Sequence, residues 1–77
     1  MSNTKTEILE TLYDVYVAEE KIAQTNLNNY LNNAAGIGEH PDIVEECSKQ
    51  LKDLAEAREA ISILRELTQQ GETPDGQ

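Results

Sequence analysis

Apolar side chains recur every three or four residues through two stretches of roughly thirty residues each, a helical rather than an alternating period. The first stripe runs Ile8, Leu12, Val15, Ile22, Ala23, Leu27, Tyr30, Leu31 and Ala34. The second follows a near-heptad seam of Val44, Cys47, Leu51, Leu54, Arg58, Ile61, Arg65 and Thr68. All four glycines (36, 38, 71, 76) and both prolines (41, 74) fall within residues 36–41 and 71–76. These breakers delimit two long helices and a short turn. The pattern predicts helix 1 over about 4–34, a loop over 35–40, helix 2 over about 41–70 and a disordered polar tail over 71–77.

Local chemistry agrees with those limits. Thr4-Lys5-Thr6-Glu7 has the spacing of a capping box, in which the Thr hydroxyl and the Glu carboxylate satisfy each other's backbone amides. Gly36 is placed to stop helix 1 in the left-handed conformation. Asn26, Asn28, Asn29, Asn32 and Asn33 weaken the preceding turns, because their amides compete for backbone hydrogen bonds. Pro41 suits the first position of helix 2, where its missing N–H has no intrahelical use. Asp42, Glu45 and Glu46 set negative charge against the positive end of that helix. The expected fold is all-α: an antiparallel two-helix hairpin, completed as a four-helix bundle by dimerisation.

Polar residues interrupt both stripes. At about 100° per residue, Glu19 and Asn26 fall at the centre of the first face and Arg58 and Arg65 at the centre of the second. A turn near residues 37 and 38 sets Glu19 opposite Arg58, Asn26 opposite Ser48, and Arg65 near Glu10 and Leu9. Buried charge is costly unless paired, so these layers read as devices that fix register. The alternative is a polar pocket in which the arginines hold an anionic ligand inside an assembly.

The helices also carry more apolar surface than one seam consumes. Ile61, Ile63, Leu64 and Leu67 spread over most of the circumference of helix 2, and Ile8, Leu9, Leu12 and Tyr13 spread likewise on helix 1. The surplus lies at the end that carries the termini. It predicts an oligomer interface on Leu9, Leu12, Tyr13, Ile63, Leu64 and Leu67, with the loop ends pointing outward.

Length and charge narrow the function classes. A chain of 77 residues with 15 acidic and 6 basic residues has a net charge of −9. That excess argues against direct binding to a nucleic-acid backbone. One cysteine, Cys47, builds neither a disulfide framework nor a multi-cysteine metal site. No apolar run approaches the roughly 18–20 residues that span a bilayer, and no signal peptide is read at the start. The expected setting is therefore cytoplasmic, with no membrane contact. A domain this small is marginal alone, and oligomerisation is the usual remedy. The expected partners are a second copy and an unidentified protein.

Candidate chemistry concentrates in the turn Gly36-Ile37-Gly38-Glu39-His40-Pro41-Asp42. Glu39, His40, Asp42 and Glu45 are residue types that ligate metals or move protons. One histidine lacks the companions of a zinc site, and the turn reads as solvated. The two glycines lack the third glycine, the lysine and the preceding strand of a phosphate loop. Cys47 reads as a small buried residue, since His40 stands about two turns away and a reactive thiol needs a closer base. Tyr13, Tyr16 and Tyr30 read as core or interface residues rather than a ligand platform. No catalytic residue, metal or cofactor is expected.

Two resemblances add expectations. The stretch Asn29-Tyr30-Leu31-Asn32-Asn33-Ala34-Ala35-Gly36-Ile37-Gly38-Glu39-His40-Pro41-Asp42-Ile43, with the helix that follows to Leu67, resembles short, functionally unassigned proteins of tailed phages, especially those of marine cyanobacteria. That likeness implies a phage accessory protein and no activity. Ser48-Lys49-Gln50-Leu51-Lys52-Asp53 resembles the Ser-Gln-Glu-Leu-Asp signature of the helical-hairpin phosphatases of the sporulation phosphorelay. Here Gln50 stands in the acidic position and Asp53 comes one residue late. This second likeness implies a phosphatase-like hairpin enzyme as the alternative to a binding module.

Overall fold

The computed structural model describes residues 4–37 and 41–69, with side chains described for 4–33 and 42–69. Helix α1 spans Thr4–Ile37 and helix α2 spans Pro41–Gln69. No strand occurs among the described residues. The two helices pack along their length as a hairpin. The loop residues 38–40, with His40, and the tail from 70 onward lie outside the described residues.

Helix α1 runs three residues beyond the expected end, so Gly36 lies inside the helix and does not stop it. Part of the reason is visible in the asparagine-rich turns. The Asn33 amide donates to the Asn29 carbonyl at 2.8 Å, and the Gln24 amide donates to the Asn28 side chain at 3.4 Å. Both bonds span one helical turn, so these amides find partners without breaking the helix. Helix α2 begins at Pro41 as its fixed backbone angle requires.

The seam of α1 consists of Leu9, Tyr13, Tyr16, Glu20, Ala23, Leu27 and Tyr30, all buried or half-buried. Its steps alternate four and three residues. The seam of α2 repeats the same steps through Ile43, Cys47, Gln50, Leu54, Ala57, Ile61 and Leu64. This is the period of an antiparallel coiled coil. Ala23 and Ala57 are the most buried side chains, at 2% and 1% exposure. Small residues here let the helix axes approach closely.

The expected stripes are therefore rotated. On α1, Ala23, Leu27 and Tyr30 belong to the seam as expected, but the buried line lies one residue, or about 100°, from the line Ile8, Leu12, Val15, Ile22. Those four side chains stay exposed. On α2, Cys47, Leu54 and Ile61 belong to the seam as expected. Val44, Leu51, Arg58 and Arg65 do not; they are exposed. The observed pairing buries Ala57 and Leu64 and keeps both guanidinium groups in water. The expected one would have had to desolvate them.

Candidate interaction surface

Register across the hairpin is fixed by its polar contacts. Arg65 meets Tyr13 and Arg58 meets Glu20, so facing positions sum to 78 in both pairs. Arg58 donates from Nε to the Glu20 carboxylate and from Nη2 to the Gln24 side-chain oxygen, each at 2.9 Å. The partner is Glu20, not Glu19. Glu19 lies on the other flank of the seam, in a groove with Ile22, Ala23, Gln50 and Asp53, and makes no ion pair among the described residues. The Asn26 amide donates to Gln50 at 3.4 Å, not to Ser48, which is exposed. Arg65 reaches the Tyr13 hydroxyl at 3.5 Å, not Glu10 or Leu9. That contact, with the charge interaction across it, holds the Arg65 guanidinium above its ordinary range.

Sequence reasoning missed Glu20, Gln24 and Gln50. The available signal was the step pattern: only the line through Glu20 and Ala23 faces an α2 line free of arginine. The Arg58 and Glu20 side chains remain 57% and 31% exposed. Water screens such a pair, and Arg58→Ala should cost less than about 1 kcal/mol in a urea unfolding titration.

The two arginines line one shallow groove with Tyr13, Val17 and Glu20. The Glu20 carboxylate already neutralises Arg58 there, which opposes an anionic ligand. A neighbouring open groove of about 500 Å³ lies between Leu9, Tyr13 and Leu64, with Glu10 and Asp14 at its edge. Cys47 is half-buried in the seam. Among the described residues, no three His, Cys, Asp or Glu side chains come together as a metal site needs. No described helix is long and apolar enough to cross a membrane.

The prominent feature of the surface is apolar. Among the described residues, nine large hydrophobic side chains are exposed, whereas the fully buried ones are Leu54, Ile61 and Leu64 beside two alanines. The exposed set forms two patches. Ile8, Leu12, Val15 and Ile22 continue on α1 in steps of four and three, with Glu19 among them, and Ile63 and Leu67 lie on the same side of α2. Leu31, Val44 and Leu51 lie on the other side, toward the loop. Of the six positions expected at an oligomer interface, Leu12, Ile63 and Leu67 belong to the first patch. Leu64 is buried within the hairpin, and Leu9 and Tyr13 are half-buried there. These three serve the chain's own seam, because the α1 seam passes through Leu9 and Tyr13 instead of Ile8 and Leu12.

No protein-family model, no curated protein and no solved structure matches this chain.

Proposed function

We propose that the chain is a non-catalytic, acidic helical interaction module that works as a homodimer, two hairpins forming a four-helix bundle. We further propose that it acts as a phage accessory protein by binding a host or phage protein. One observation carries the reading: among the described residues, nine large apolar side chains are exposed and three are fully buried. Monomeric proteins seldom leave contiguous apolar patches beyond a few hundred Å², and larger ones mark interaction sites. Covering a side chain that is about half exposed gains about 1 kcal/mol. Five such residues per copy supply enough to offset much of the cost of association. The net charge of −9 suits a basic surface on the further partner. The phage setting rests on the likeness of residues 29–43 and the helix after them.

Calorimetric titration with zinc, manganese and magnesium separates this reading from a metal-dependent hairpin enzyme. The expected result is no saturable heat. A saturable one-to-one isotherm that His40→Ala removes would overturn the non-catalytic reading in favour of a site in the loop. His40→Ala should also leave the melting temperature within about 4 °C of the parent, a shift that corresponds to less than about 1 kcal/mol in a domain of this size.

A further inference from the structure

Within the exposed line on α1, the stretch from Lys5 to Glu19 reads nearly the same in both directions about Leu12, and Ile22 lies outside that stretch. Ile8 stands four residues before Leu12 and Val15 three residues after. Lys5 and Glu19 flank these at seven residues on either side, which is two helical turns. Lys5 and Glu19 are both exposed, and neither makes an ion pair among the described residues. The α2 part of the patch has the same centre. Ile63 and Leu67 lie two residues before and after Arg65. Arg65 in turn faces Tyr13, next to Leu12, across the hairpin. One level along the hairpin is thus the centre of the apolar pair on each helix and of the charge pair on α1, although the Arg65 side chain itself lies in the groove on the other flank.

We propose that a second copy of the chain covers this face about a two-fold axis passing beside Leu12, with each helix antiparallel to its own counterpart. The proposal rests on the self-association reading above and adds its register. Leu12 meets the partner's Leu12. Ile8 packs on the partner's Val15, Lys5 pairs with the partner's Glu19, and Ile63 packs on the partner's Leu67. Every contact occurs twice, as a two-fold interface demands. An unrelated partner has no reason to require a surface symmetric about one level, whereas a copy of the same surface does. The arrangement also handles the acidic charge. Asp42, Glu45 and Glu46 lie at the loop ends, which point away from each other. Asp53 borders the groove beside Glu19, and Glu56 and Glu59 border the groove beside Ile63, so these acids stand at the edge of the overlap, at the end to which the partner's Lys5 would come. The exposed apolar side chains of the face present on the order of 400 Å² per copy, about half of what a standard interface buries on each side. The flanking polar positions supply the remainder.

The test is a disulfide scan with the full chain. In a Cys47→Ser background, Leu12→Cys should cross-link to a covalent dimer under mild oxidation, because residues on the axis bring their Cα atoms within the about 7 Å a disulfide allows. Leu51→Cys in the same background should stay single-chain. A charge exchange supplies a second readout that does not touch the apolar stripe. Lys5→Glu should weaken dimerisation about three- to thirtyfold, since it turns two attractive pairs repulsive, and adding Glu19→Lys should restore it. If the parent is dimeric while Leu12→Cys stays uncross-linked and the charge exchange fails to rescue, the register is overturned and self-association stands. If Leu51→Cys cross-links instead, the loop-side patch is the interface and the proposal is wrong. A basic amphipathic partner helix would give a parent of single-chain mass, which overturns the register and the homodimer together.

Discussion

Leu12→Glu should elute with the mass of one chain at micromolar concentration, where the unsubstituted protein should have the mass of two. Each dimer loses two leucines from the covered stripe. It also brings two carboxylates together where no cation lies near. Loss of apolar burial costs about 1 kcal/mol per half-exposed leucine, and desolvating like charges adds several more. A total of about 4 kcal/mol is a thousandfold loss of affinity. Helicity should fall with it, because a hairpin with three large buried side chains depends on its partner for further burial. Leu51→Glu makes the informative contrast. Leu51 is 57% exposed and Leu12 only 38%. If bare hydrophobicity drove association, Leu51 would matter more. The account expects Leu51→Glu to keep the two-chain mass.

Ile61→Ala should lower the unfolding free energy by about 2–5 kcal/mol, read from the urea midpoint at constant slope. Ile61 is 6% exposed and sits in the seam of α2 near the middle of the terminal half. Truncation removes its transfer energy and leaves a cavity that two packed helices close only in part. Domains of this size rarely hold more than about 3–5 kcal/mol, so the variant should be largely unfolded at room temperature when dilute. Ile63→Ala removes the same atoms two residues away, at a site 45% exposed. Its effect on a dissociated chain should stay below about 1.5 kcal/mol. The difference between the two variants measures which line of α2 faces α1.

That line was the part of the fold hardest to read in advance. The helices follow from the glycines and prolines, and the antiparallel hairpin follows from the short turn between them. The seam does not, because α1 carries two apolar lines one residue apart. Ile8, Leu12, Val15 and Ile22 are the more hydrophobic set, but their central residues are Glu19 and Asn26, and facing them on α2 would bury Arg58 and Arg65. The line through Ala23 contains three tyrosines and Glu20, which makes it look poorer. It wins because Ala23 and Ala57 allow close packing and because Glu20 keeps a partner in Arg58 at the edge of the seam. The 100° displacement of the α1 line is why Glu19 is expected where Glu20 stands. The facing register is shifted as well, so Asn26 meets Gln50 instead of Ser48 and Arg65 meets Tyr13 instead of Leu9 or Glu10. On α2, the expected line through Arg65 leaves out Leu64, which is buried within the hairpin. Ile63 and Leu67 lie outside either candidate line of α2 and are exposed, whereas Leu12 stands on the first stripe of α1 and is exposed because the seam passes one residue along, through Leu9 and Tyr13.

Self-association of the hairpin is the central claim, and light scattering across a size-exclusion peak of the intact chain at micromolar concentration tests it most directly. The account predicts twice the single-chain mass, falling toward one on dilution together with the helical circular dichroism signal. A single-chain mass with helicity unchanged on dilution would contradict it.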